Sequence, residues 1–147
     1  MHLTRFTDYS LRVLIYLGQH NKNRVTIQQI SDAYGISKNH LMKVVSNLTR
    51  LQFVAAQRGP GGGIRLNRLP KDIALNDVVS HTEKSLQALD AEYTPASAEV
   101  TPDILLGSFL RHGLQAYLED LSHYTLADVL KAKSNVSQLL EISGKAA

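Results

Sequence analysis

The sequence predicts a mainly α-helical chain carrying one small β-hairpin, and three observations support that expectation. Apolar residues recur at helical spacing through residues 4–48 and again from 102 to 121. Helix-start signals, Thr26-Ile27-Gln28-Gln29 and Ser37, precede two of those stretches. Between the two regions, short strand-like runs flank the loop Arg58-Gly59-Pro60-Gly61-Gly62-Gly63.

The first helix is expected from about Thr4 to Gln19, with Phe6, Val13, Leu14 and Leu17 on one face and Tyr9 near its edge. Gly18 weakens its end, and Asn21-Lys22-Asn23 reads as a turn. Thr26 and Gln29 form a capping box for a second helix, in which each satisfies the other's orphan amide. That helix carries Ile27, Ile30 and Ala33 inward until Gly35 interrupts it. Ser37 caps a third helix with Leu41, Val44, Val45 and Leu48 facing the core.

Phe53-Val54-Ala55-Ala56 and Ile64-Arg65-Leu66 form the limbs of the hairpin, and the glycines allow the positive φ that its tip requires. A short helix follows over Ala74–His81, through Leu75, Val78 and Val79. The stretch from Thr82 to Thr101 is acidic at Glu83, Asp90, Glu92 and Glu99 and loop-like at Pro95-Ala96-Ser97-Ala98. Pro102-Asp103 then opens a long helix to about Leu121. Thr125-Leu126-Ala127-Asp128 caps another helix through Lys131, and Asn135 to Ile142 adds an apolar tail. Three regions result: 1–81, a segment 82–101, and a helical remainder 102–147.

Two short helices joined by a glycine-containing turn and followed by a hairpin describe a winged helix-turn-helix, a DNA-binding module. The third helix offers Ser37, Lys38, Asn39, His40 and Lys43 at its N-terminal end, groups suited to base edges and phosphates. Arg58 and Arg65 bracket a loop whose Gly59, Gly61 and Gly62 leave backbone N–H groups unshielded, and Arg5 adds a cation on the first helix. An ordinary solvated helix face is the plain alternative for any one of these runs. Their order along the chain and the charge distribution favour DNA. Residues 1–71 hold eleven Lys and Arg against two acids, a balance of +9, while residues 72–147 hold five against eleven, a balance of −6.

The 147 residues, 44% hydrophobic and 20% charged, fit one domain or one domain with an extension. No apolar run approaches the roughly 20 residues of a membrane span, and Met1-His2-Leu3-Thr4-Arg5 lacks a signal-peptide pattern, so a cytoplasmic setting is expected. The chain has no cysteine, hence no disulfide, thiolate ligand or cysteine nucleophile. It has no nucleophile elbow, P-loop or metal-ligand motif in a fitting context, which argues against an enzyme. On the long helix Leu106, Leu110, Leu114, Tyr117 and Leu121 recur on one face, widened by Phe109 and Leu118. With no large sheet to cover that stripe, a helix-to-helix contact in a homodimer is expected.

From end to end the chain resembles the Rrf-two family of bacterial winged helix-turn-helix repressors, the IscR and NsrR type. Four segments carry the likeness: Leu3-Thr4-Arg5-Phe6-Thr7-Asp8-Tyr9, the Arg58–Gly63 loop, Tyr124-Thr125-Leu126-Ala127-Asp128, and Ile142-Ser143-Gly144-Lys145. The resemblance implies a homodimeric repressor on a roughly palindromic operator, with Ser37, Lys38, His40 and Lys43 on the reading helix and Arg58 and Arg65 on the wing.

The chain departs from that pattern where sensing members hold an iron–sulfur cluster on three cysteines. Those places fall at Glu92, Ala98 and Ile104 here. Asp8 matches the aspartate of the nitric-oxide-sensing branch, but a carboxylate without thiolates cannot hold a cluster, so no iron–sulfur cofactor is expected. Asp8 is also placed to pair with Arg12, its i+4 neighbour. Three routes to regulation stay open. A small-molecule effector could sit among Asp8, Leu89, Glu92, Tyr93 and Leu105, with Leu86 and Phe109 nearby. A metal or haem could be held by His81, His112 and His123, together with Glu92, although no two of the histidines share i, i+3 or i, i+4 spacing. Or the protein could act by abundance alone. A winged-helix adaptor that docks proteins and has lost DNA binding is the second functional reading.

Overall fold

The computed structural model describes residues 2–84, 86 and 101–131. Its helices are α1 (Arg5–Gln19), α2 (Ile27–Tyr34), α3 (Lys38–Arg50), α4 (Leu75–Thr82), α5 (Pro102–Ser122) and α6 (Leu126–Lys131). Strands β1 (Val54–Gln57) and β2 (Gly63–Leu66) lie between α3 and α4, followed by a 3-10 turn at Pro70–Asp72. The tail segment Asn135–Ile142 lies outside the described residues.

Local chemistry sets most of the helix boundaries. The Thr4 hydroxyl accepts the Thr7 amide at 3.3 Å, so Thr4 is the cap of α1 rather than its first residue. At α2 the capping box is complete: the Gln29 amide donates to Thr26 Oγ1 at 3.2 Å and the Thr26 amide to Gln29 Oε1 at 2.8 Å. Gly35 closes α2 in the left-handed region, and the Ser31 hydroxyl donates to the Ile36 carbonyl at 2.7 Å to fix the turn into α3. Ser37 accepts the His40 amide at 3.3 Å and starts α3. Ahead of α5, Thr101 takes the cap position and Pro102 the first turn, where its missing N–H leaves no bond unmade.

Side chains from these elements build one core. Val13, Leu14 and Leu17 of α1 meet Ile30, Leu41, Val44 and Leu48 from the next two helices, then Phe53, Ile64, Ile73, Val78 and Leu126. Each such side chain contributes roughly 1.5–3 kcal/mol on removal from water. Ala33, expected inward, is exposed. The eight-residue helix turns Ile30 and Tyr34, one helical turn apart, toward the core and leaves Ala33 beyond the edge of that stripe. The helix expected over Ala74–His81 runs one residue later, Leu75–Thr82, with Ala74 as its cap residue.

The hairpin pairs Val54 with Leu66, Ala55 with Arg65, Ala56 with Ile64 and Gln57 with Gly63. It does not stand alone. Val25, between α1 and α2, bonds Ile64 in both directions, at 2.9 and 2.7 Å, and anchors the outer strand to the helical body. At the tip, a Cβ on Gly62 would lie 2.5 Å from the Gln57 carbonyl oxygen. Gly63 has φ +146°, and a Cβ there would press the Val25 carbonyl at 2.9 Å. Glycine is therefore the residue that fits both positions.

The segment after the hairpin is fastened by Arg68. Its guanidinium lies 4.7 Å from the Phe53 ring centroid and donates to the Leu51 carbonyl at 3.3 Å and to Asp77 at 3.4 Å. Further on, the Leu75 amide bonds the Tyr124 carbonyl and the Leu126 amide bonds the Ile73 carbonyl, so α6 returns to the same core and packs on α1. The long helix α5 packs on α4. Among its described residues only Gly107 is fully buried, while Leu105, Leu106, Phe109 and Leu110 are 47, 51, 69 and 44% exposed.

Candidate nucleic-acid interface

Helices α2 and α3 with their turn form the helix-turn-helix, and the hairpin follows at the end of α3. Ser37, Lys38, Asn39, His40 and Lys43 are all exposed at the N-terminal end of α3. That end also presents backbone N–H groups and the positive pole of the helix dipole, both favourable to phosphate. The His40 ring centroid lies 6.3 Å from that of Tyr9, a tilted contact that ties α1 to the reading helix.

The outward face of α3 continues past those residues. Asn39, Met42, Lys43, Ser46, Asn47 and Arg50 line an open groove of about 630 Å³ along it. Met42, Ser46, Asn47 and Arg50 were not among the expected contacts. Their steps of three and four from Asn39 and Lys43 are the signal that would have included them.

On the hairpin, Arg58, Gly59, Gly61 and Arg65 are exposed and Gly62 is partly so. Arg5, just inside the first turn of α1, is exposed as well. Electrostatic engagement divides the basic residues into two groups. Arg5, Lys38, Lys43, Arg58 and Arg65 have no hydrogen-bond or ion-pair partner among the described residues. Arg12 and Arg68 do: the first binds Asp8 at 2.9 Å and stacks over Tyr34, and the second serves the packing described above. The hydrogen bond that Arg12 donates to Asp8, more than the carboxylate's charge, holds the Arg12 guanidinium above its ordinary pKa, while burial raises that of the Tyr34 hydroxyl. Unpaired cations on α3 and the wing can meet phosphate without first breaking an internal bond.

Of the residues suggested for an effector pocket, Leu89, Glu92 and Tyr93 lie outside the described residues. Asp8 stands about half-exposed with Arg12, and Leu105 lies on the bare part of α5. His81 Nδ1 sits 2.7 Å from the Asp77 carbonyl oxygen and 3.3 Å from its carboxylate. Among the described residues no three His, Asp or Glu side chains converge as metal ligands, and no helix is long and apolar enough to cross a membrane.

Comparison with known proteins agrees with this architecture. The model of the Rrf2 family, described as iron-dependent transcriptional regulator, matches residues 3–132. The HTH-type transcriptional regulator NsrR of Bacillus licheniformis is 42% identical over 142 residues, covering 95% of this chain and 99% of that protein. NsrR of Bacillus subtilis is also 42% identical, over 144 residues, covering 97% and 99%. In fold, the chain is similar to T. potens IscR, with a TM-score of 0.73 at 24% identity over 90% of this chain and 88% of that one. It is likewise similar to CymR, the global cysteine regulator of B. subtilis, at 0.68 and 22% over 89% and 97%.

The family's description implies iron, and the donor set here does not fit a thiolate-held iron centre. The chain contains no cysteine, Asp8 is engaged by Arg12, and His81 is engaged by Asp77. Those contacts and matches converge on one assignment: the chain belongs to the Rrf2 family and is a DNA-binding transcriptional regulator, not an enzyme.

Proposed function

We propose that the protein is a homodimeric repressor that reads a two-fold symmetric operator in the cytoplasm without an iron–sulfur cluster. The observation that carries this reading is the set of unpaired cations on α3 and the hairpin, beside internally bonded Arg12 and Arg68. Ser37, Lys38, Asn39, His40 and Lys43 would enter the major groove with α3. Arg58 and Arg65, with the bare backbone at Gly59, Gly61 and Gly62, would follow the adjacent minor groove, where a guanidinium senses groove width. Arg5 would hold a phosphate.

The exposed apolar run on α5 supports the dimer. Phe109, Leu106 and Leu110 stand open in the single chain, with Leu114, Tyr117 and Leu121 half-buried further along the same helix. Pairing with a twin helix would remove this apolar surface from water and set two reading helices at a fixed separation. A dimer seated over a promoter would exclude polymerase, which is why repression is favoured over activation.

The test is fluorescence anisotropy with duplexes selected from a random pool. Phosphate contacts release counterions, so log affinity should fall linearly and steeply with log salt. A shallow salt dependence with no sequence preference would instead support a protein-docking role.

A further inference from the structure

Beside the first turn of α1 lies a cleft of about 690 Å³, enclosed by that turn, the C-terminal end of α3 and the end of α4. We propose that it binds a small organic anion, a carboxylate or phosphate ester attached to an apolar ring or chain, and that occupancy weakens DNA binding. Neither Asp8 nor Leu105, the described members of the effector region considered above, lines the cleft, and its volume matches pockets that enclose small molecules.

Its walls supply the two halves of such a ligand's recognition. Phe6 and Leu51 provide apolar surface, while Arg50, His81 and Lys84 provide cationic or hydrogen-bonding groups and Asn47 an amide. Lys84 has no ion-pair or hydrogen-bond partner among the described residues, and Arg50 donates to the neutral Asn47 Oδ1 at 2.7 Å. No carboxylate is among the described residues that line the cleft. Glu83, between Thr82 and Lys84, is turned into the protein at 3% exposure, where its Oε2 accepts from the Thr4 amide, the Thr4 hydroxyl and the Thr7 hydroxyl. Folding thus engages the adjacent carboxylate with internal donors and keeps it out of the cleft wall, leaving Lys84 and the Arg50 guanidinium to face a ligand, which favours an anionic one over a cationic one.

Asn47 and Arg50 line both this cleft and the groove on the outward face of α3 that holds Asn39 and Lys43. An anion in the cleft competes for the Arg50 guanidinium with phosphate on the other side. The coupling is reciprocal by linkage: a ligand that lowers operator affinity is itself bound less well when operator is present.

The test is isothermal titration of the full chain with benzoate and with phenyl phosphate, using inorganic phosphate as the headgroup-only control. One organic anion should bind with one-to-one stoichiometry at millimolar concentration or below. Lys84→Gln and Arg50→Gln should each weaken it by about tenfold, the loss expected for one charge-assisted contact. Saturating ligand should lower wild-type operator affinity, and Lys84→Gln should blunt that response. The proposal is overturned if neither organic anion binds, if both variants bind as wild type does, or if inorganic phosphate binds as tightly as phenyl phosphate. Titration is carried out without DNA, so failure there leaves the DNA reading standing, whereas failure of the unliganded protein to bind duplex strikes that reading alone.

Discussion

Thr7 and Glu83, 76 positions apart, meet in the interior: the threonine hydroxyl donates to the glutamate Oε2 at 2.9 Å, with the residues 0 and 3% exposed. The same oxygen also accepts the amide and hydroxyl of Thr4, so a carboxylate following α4 serves the start of α1. Negative charge at a helix N-terminus is favourable, and a buried carboxylate needs its donors. Thr7→Val keeps the side-chain shape and removes one donor. It should destabilise the protein by about 1–3 kcal/mol, read as a lower urea midpoint with unchanged slope. An unchanged midpoint would mean that water or another group already satisfies Glu83.

The wing arginine offers a direct measure of DNA recognition. Arg58→Ala should weaken operator binding by about 1–3 kcal/mol and reduce the salt dependence by roughly one contact. Helical content by circular dichroism should stay the same, since Arg58 is exposed and has no partner among the described residues. Affinity equal to wild type at matched salt would remove Arg58 from the interface.

Gly62→Ala probes the hairpin itself rather than its charge. The added Cβ would meet the carbonyl oxygens of Gln57 and Gly59 at 2.5 and 2.7 Å, so the tip must open. Operator affinity should fall even though no charge is altered, and thermal stability should fall with it, because the core residue Ile64 lies two positions further on, in β2. Retention of full affinity would show that the wing tolerates a different turn.

Phe109 is the most exposed large apolar side chain of α5 at 69%. Phe109→Asp should convert a dimer to a monomer in analytical ultracentrifugation. Two copies of the ring lose burial at a symmetric contact, each worth roughly 1.5–3 kcal/mol, and two charges are brought together in their place. A dimer that survives this change at micromolar concentration would place the interface elsewhere.

A pH effect follows from the start of α6. The Thr125 hydroxyl and amide donate to Asp128 Oδ2 at 2.7 and 2.9 Å, and these bonds hold the Asp128 carboxyl below its ordinary pKa. A depressed folded value means that the stabilisation is present above the unfolded pKa and is lost as pH falls through the folded one. Asp128→Asn should therefore flatten the acid limb of the stability curve below about pH 4. The difference from wild type should shrink toward low pH, and a constant offset across that range would contradict the assignment.

Chemical reconstitution with iron and sulfide should leave the protein colourless. Cluster iron requires thiolates that this chain does not possess. Stoichiometric iron and sulfide with a visible chromophore would defeat the expectation.

Much of this molecule could be read from its residues in order. The Thr26–Gln29 box, the Ser37 cap and the glycine tip act over three or four residues, so α2, α3 and the hairpin were legible without neighbours. Helical periodicity likewise exposed the long apolar stripe of α5, and the charge division pointed to the basic half as the DNA-facing one. Ala33 was misread because an eight-residue helix leaves its edge positions to whatever packs beside it.

Arg68 and Glu83 show where such reading stops. In sequence Arg68 is one of the eleven cations that make residues 1–71 basic, yet folding lays it over Phe53 and against Asp77. Glu83 opens an acidic stretch, yet it is drawn beneath the N-terminus of α1. Neither partner lies within a helical turn, so no local pattern marks them. Sequence alone determined which segments coil and which charges exist, because caps, turns and periodicity are short-range. Tertiary structure decided which charges are bonded inside and which stand free, because desolvation depends on neighbours that chain order leaves far apart.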